Sequence, residues 1–101
     1  MKLFGRKKRE AAEAFPFDES PNTATFVCVH VMEKQRPILY ATYDEDGYRQ
    51  FLCGAEHTAE EARLVSLESV WEQDKTVGEL VQMECGQRAH RKDEHSRWEM
   101  E

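Results

Sequence analysis

Thr25-Phe26-Val27-Cys28-Val29-His30-Val31-Met32 decides how the rest of the chain is read. The run is rich in β-branched and aromatic residues whose side chains alternate between two faces, so it predicts the first strand of a sheet. The polar stretch Glu33 to Pro37 turns the chain into a second predicted strand over 38–43. Asp44-Glu45-Asp46-Gly47 is hairpin chemistry, three acids followed by a glycine expected to take positive φ, and it leads into a third strand over 48–53 that Gly54 ends. Turns of these lengths predict a simple antiparallel meander in which Met32 faces Ile38 and Tyr43 faces Tyr48. His30, Tyr40 and Phe51 then share one row, and Met32, Ile38 and Cys53 the next.

Downstream, Thr58-Ala59-Glu60-Glu61 has the form of a capping box, and Leu64, Leu67 and Trp71 follow at helical spacing with Val70 beside them. A helical segment over 58–81 is expected, with Asp74 or Thr76 capping a further turn that carries Val77, Leu80 and Val81. Whether Leu64-Val65 interrupts it as a short strand is left open by the pattern. Residues 87–90 suit a closing strand, and the tail from Lys92 is charged except for Trp98, so it is ordered only if Trp98 docks.

Length and charge bound the rest. The chain has 101 residues, 40% of them hydrophobic, enough for one small core. The expected fold is α+β: a small antiparallel sheet, a hairpin meander, packed against helices on one face. Residues 24–98 make the single domain, and residues 1–23 a flexible basic arm and linker with Phe15 and Phe17 as aromatic anchors. Five basic residues fall within positions 1–9, yet the whole chain has a formal charge of -6. That balance argues against a nucleic-acid partner, and no apolar run has the roughly 18 residues of a membrane span. No run suits a signal peptide either, so a cytoplasmic location is expected. Cys28, Cys53 and Cys85 are odd in number and widely spaced, which fits reduced thiols better than a disulfide framework.

Pro37-Ile38-Leu39-Tyr40, Asp44-Glu45-Asp46-Gly47, Gln50-Phe51-Leu52-Cys53-Gly54, Val65-Ser66-Leu67 and Gln73-Asp74 together resemble the immunity-protein 33 family, a bacterial domain of unknown function. The similarity runs over about residues 25–98. It departs where the family usually has Trp before the Gln-Phe pair, since Tyr48-Arg49 stands there. The resemblance implies an α+β fold and a binding role, with a toxin as the protein partner and no active site to carry over.

Four side chains suit a metal. Cys28 and His30 lie two apart, Cys53 and His57 four apart, and two sulfurs with two imidazoles are the donors of a structural zinc site. In a meander, however, the first and third strands lie about 9.6 Å apart, two spacings of roughly 4.8 Å, too far for donors that sit about 2.0 to 2.3 Å from one ion. Only a sheet in which the first strand neighbours the third brings them together, so no cofactor is expected and zinc stands as the alternative. An enzyme is not expected either, because neither Cys/His pair comes with a nucleophile turn or an orienting third group. Asp44, Glu45 and Asp46 fail the calcium-loop pattern, with Gly47 too early and no Glu at the twelfth position. The late basic residues His90, Arg91, Lys92, His95 and Arg97 read as solvated surface.

The two predicted sheet faces are both apolar. One carries Phe26, Cys28, His30, Met32, Ile38, Tyr40, Phe51 and Cys53, the other Val27, Val29, Val31, Leu39, Ala41, Tyr43, Tyr48 and Leu52. Helix 58–81 covers one of them. The second needs a homodimer, a lid made by Phe15, Phe17 and Trp98, or a foreign partner. Tyr40, Asp44, Asp46, Tyr48 and Phe51, on and around the hairpin, are the residues expected to meet that partner.

Overall fold

The first strand is shorter than the β-branched run that encodes it. In the computed structural model, which describes residues 14–55 and 59–101, β1 (Ala24–Cys28) gives way at once to a single helical turn, α1 (Val29–Met32). The ladder explains the stop. The pairing with β3 ends at Val27 and that with β4 at Cys28, and the helical turn instead carries Val31 into the core, where it is fully buried. Gln73 Nε2 donates to the Val31 carbonyl at 2.9 Å, and Lys34, at φ 61°, ends the turn.

Five further strands complete the sheet: β2 (Tyr40–Tyr43), β3 (Arg49–Leu52), β4 (Ala62–Ser66), β5 (Arg88–His90) and β6 (Glu99–Met100). Their order is β4-β1-β3-β2-β5-β6, with β1 parallel to β3 and every other neighbouring pair antiparallel. The sheet is therefore mixed, and the all-antiparallel meander is corrected: β3 inserts between β1 and β2. The expected helix over 58–81 is corrected as well. Ala62–Ser66 pairs along the whole of β1 as β4, and the helix proper, α2 (Leu67–Gln73), starts where Ser66 Oγ accepts from the Ser69 N–H at 3.1 Å. Thr58 of the expected capping box lies outside the described residues. A 3-10 segment, Lys75–Leu80, follows, with Asp74 as its N-cap.

The hairpin register also differs from the expected one by a residue. Asp44 N–H donates to the Tyr48 carbonyl and Gly47 N–H to that of Asp44, so Glu45-Asp46-Gly47 is a three-residue loop with Gly47 at φ 93°. Such loops place a left-handed residue, favouring glycine, in the last position. The pairing is consequently Tyr40 with Leu52 and Ala41 with Phe51. A one-residue slip sends every side chain to the other face, so Tyr40 and Phe51 do not share one.

The core lies on the helix side. Val27, Ala41, Phe51 and Ala89 from the sheet meet Leu67 and Val70 of α2 and Val77 and Leu80 of the 3-10 segment. Phe17, only 6% exposed, belongs to the same cluster, and Phe15 sets its ring edge-on to Trp71 at 5.8 Å. Phe15 and Phe17, the aromatic anchors of the expected linker, thus pack against the core. At the other end β6 pairs with β5, and Trp98 packs against the core.

Candidate functional site

Parallel pairing brings the ends of β1 and β3 to the same edge of the structure. Val27 faces Phe51, so Cys28, last in β1 and N-cap of α1, comes level with the end of β3, and Cys53 follows directly. His30 sits on the single turn of α1. One donor atom from each of Cys28, His30 and Cys53 lies within 4.8 Å of the other two. Cys53 Sγ is 3.9 Å from His30 Nδ1, and His30 Nε2 is 4.0 Å from a Glu61 carboxylate oxygen. Both cysteines are buried. The strand order that the meander ruled out is the one present, and the distance objection to a shared site no longer holds. His57, the fourth expected ligand, lies outside the described residues.

The register puts Phe26, Leu64, Gln50, Thr42 and Tyr40 on the sheet face opposite the core. Of the side chains expected to meet a partner, Tyr40 is half-buried there, Tyr48 is 45% exposed and edge-on to Phe26, and Asp46 is exposed at the turn. Asp44 is half-buried, accepting from Gln50 Nε2 at 2.7 Å and from Thr42 Oγ1 at 3.3 Å. Phe51 is the exception. It is 1% exposed and packed in the core, so it does not meet a partner. Leu64, expected on a buried helix stripe, is instead 63% exposed on this face. The face mixes aromatic rings with Thr42, Gln50 and Arg88, and Tyr40, Leu52, Gln50 and Arg88 line a shallow cleft of about 410 Å³. Its polar groups let it stand open to water, which the two uniformly apolar faces of the expected register would not allow.

Two guanidinium groups are buried. Arg49 lies between the rings of Phe17 and Tyr43, at 4.7 and 4.2 Å from their centroids, and its Nε donates to Glu19 at 2.7 Å. Burial pushes the Glu19 carboxyl up, but the bond from Arg49 and its charge outweigh that and hold it below the ordinary carboxylate value. Burial, reinforced by the Glu19 charge, raises the Tyr43 phenol. Arg91, expected on solvated surface, donates from Nε to the Ile38 carbonyl, from Nη1 to Thr76 Oγ1 and from Nη2 to Asp74. It stacks on Trp98 at 4.3 Å. Neither guanidinium was legible as a core group, because the partners of Arg49 and Arg91 are distant in sequence.

No helix of the described residues is long and apolar enough to cross a membrane. A scan against protein-family models, a search of curated proteins and a search of solved structures each return no match to this chain.

Proposed function

We propose that this is a small binding protein that recognises a basic protein partner across its open sheet face and acts by occlusion rather than catalysis. The resemblance to the immunity-protein 33 family supports a toxin as that partner, met in the cytoplasm. The observation that carries the reading is the face itself, where Leu64, opposite Phe26, and Tyr48, edge-on to Phe26, stand 63% and 45% exposed, with the Asp44-Glu45-Asp46 turn next to Tyr48. Large apolar side chains grouped at a rim of polar ones mark contact surfaces.

Charge points to the sign of the partner. Residues 10–101 hold twenty acidic and nine basic residues, and Arg49 and Arg91 among the basic ones are buried against Glu19 and Asp74. The surface is therefore acidic, which steers a basic partner and makes its association sensitive to salt. Tyr40, Asp44, Asp46 and Tyr48 are the contact set, with Leu64 added and Phe51 removed.

The test starts from the gene neighbourhood: a toxin-like domain encoded in an adjacent reading frame is titrated calorimetrically into the chain, and a neighbourhood with no such frame counts against a toxin as the partner. Leu64→Glu and the pair Asp44→Lys with Asp46→Lys are each expected to weaken binding about tenfold or more, and raising salt from about 50 to about 300 mM to weaken it further. Binding indifferent to salt and to all three substitutions overturns the proposal. So does sedimentation of the chain as a dimer that Leu64→Glu dissociates, since a second copy then occupies the face. A second reading, a metal-binding domain, is favoured by the cluster of Cys28, His30 and Cys53.

A further inference from the structure

We propose that Cys28, His30 and Cys53 form a binding site for a divalent ion of the zinc type, which clips the end of β1 to the end of β3. The donor set comes first. Two thiolates and an imidazole are soft-to-borderline ligands, suited to zinc and poorly suited to magnesium or calcium. Distances agree with that chemistry. Tetrahedral coordination at about 2.3 Å to sulfur and 2.0 Å to nitrogen places donors roughly 3.5 to 3.8 Å apart. Cys53 Sγ and His30 Nδ1 stand at 3.9 Å already, and the widest separation in the trio, up to 4.8 Å, closes with side-chain rotation.

The surroundings of His30 supply a second, independent observation. With Nδ1 turned toward Cys53, the opposite ring nitrogen, Nε2, faces the Glu61 carboxylate at 4.0 Å. Metal-bound histidines almost always direct their other ring N–H to a carboxylate or carbonyl, which fixes the tautomer and raises the basicity of the ligating nitrogen. Glu61 is thus a positioning residue. A third feature concerns Cys28, which occupies the N-cap of α1 yet makes no side-chain capping bond, so its sulfur is not committed to the helix end. Both cysteines are buried, and the ion that deprotonates their thiols on binding also neutralises the charge it creates there. Three protein donors leave a four-coordinate ion one position for solvent.

The site uses none of the side chains of the proposed contact set, so its failure leaves the sheet-face reading intact. The test uses the full chain, expressed without a histidine tag and kept reduced. Cobalt(II) titrated into the metal-free protein is expected to bind one to one. It develops thiolate-to-metal charge transfer in the near ultraviolet and the strong visible bands of a four-coordinate ion. Zinc should displace it and raise the melting temperature. Cys28→Ser and Cys53→Ser should each lose the charge-transfer band. Should either fail to fold, Glu61→Gln decides, because loss of the carboxylate is expected to lower zinc affinity roughly ten- to a hundredfold while far-ultraviolet dichroism stays unchanged. Cys85 is exposed, and Cys85→Ser should change nothing. The proposal is overturned if the folded, reduced chain gives no charge-transfer band with excess cobalt. It is equally overturned if the band survives both cysteine substitutions, disappears with Cys85→Ser, or if zinc affinity is unchanged by Glu61→Gln.

Discussion

The Arg91 guanidinium donates to the Asp74 carboxylate at 2.6 Å while its Cζ sits over the Trp98 ring, 4.3 Å from the centroid. One side chain, itself 1% exposed, thereby ties together the segment after α2, the approach to β2 through the Ile38 carbonyl, and the C-terminal tail. A buried charge held by bonds to Asp74, Thr76 and a carbonyl is satisfied, and removing any large part of it strands the rest.

Arg91→Ala is expected to cost about 3 to 5 kcal/mol, because it takes the guanidinium from Asp74 Oδ2 and from the Ile38 carbonyl and removes the support of Trp98. Asp74→Ala should cost a comparable amount, because it leaves the Arg91 charge, 1% exposed, without its counter-ion and also removes the N-cap of the 3-10 segment. Urea denaturation of both single variants and the double variant checks this. A coupling energy below about 0.5 kcal/mol would show that the two residues act independently.

Stability should fall on acidification through the Glu19–Arg49 pair. The folded Glu19 carboxyl titrates below its ordinary value of 4.5, so the contribution is complete above that value and is lost as pH falls through the lower folded one. Glu19→Gln is expected to be less stable than wild type at neutral pH, the difference shrinking in acid. Thermal melts of both proteins across that range check the sign, and curves that stay parallel would exclude it.

Gly47→Val should destabilise the fold and Gly47→Asn much less. The added Cβ meets nothing within 4 Å, so the effect comes from φ 93° alone. A β-branched residue resists the left-handed region at a cost of about 1 to 2 kcal/mol, whereas Asn visits it more readily. A fall of several degrees in the melting temperature for valine is expected; equal melts for the two variants would contradict the assigned turn.

Phe17→Ala is expected to cost about 3 to 5 kcal/mol, as for an aromatic ring removed from a packed core. Truncating residues 1–21 should lower stability by at least as much. If Phe17→Ala unfolds in urea like wild type, the aromatic segment is not part of the core.

Local chemistry made several of these elements legible. Asp44-Glu45-Asp46-Gly47 encodes its own turn, Gly47 takes the expected positive φ, and β2, β3 and β5 lie within the predicted stretches. Phe15, Phe17 and Trp98 are in the sequence one of the possible covers for a second sheet face, beside a homodimer and a foreign partner; in the structure Phe17 belongs to the core cluster and Phe15 and Trp98 pack against it. Leu64, Leu67 and Trp71 were misleading. Their helical spacing is real, but Ala62–Ser66 lies against the open edge of β1, and five residues of ladder outweigh a weak helical preference.

Composition and local pattern by themselves determined a small, acidic α+β domain, a tight acidic hairpin and an inventory of thiols and imidazoles. Tertiary structure decided where those groups meet. Strand order is a long-range property, and nothing in the run from Thr25 to Met32 says whether its neighbour is β2 or β3. With β3 beside β1, Cys28, His30 and Cys53 come within 4.8 Å of one another; in a meander they would stay a strand apart. The same holds for Arg49 and Arg91. A charged side chain reads as surface until the fold brings Glu19 and Asp74 to it, because burial of a charge depends on a partner that only the folded chain supplies.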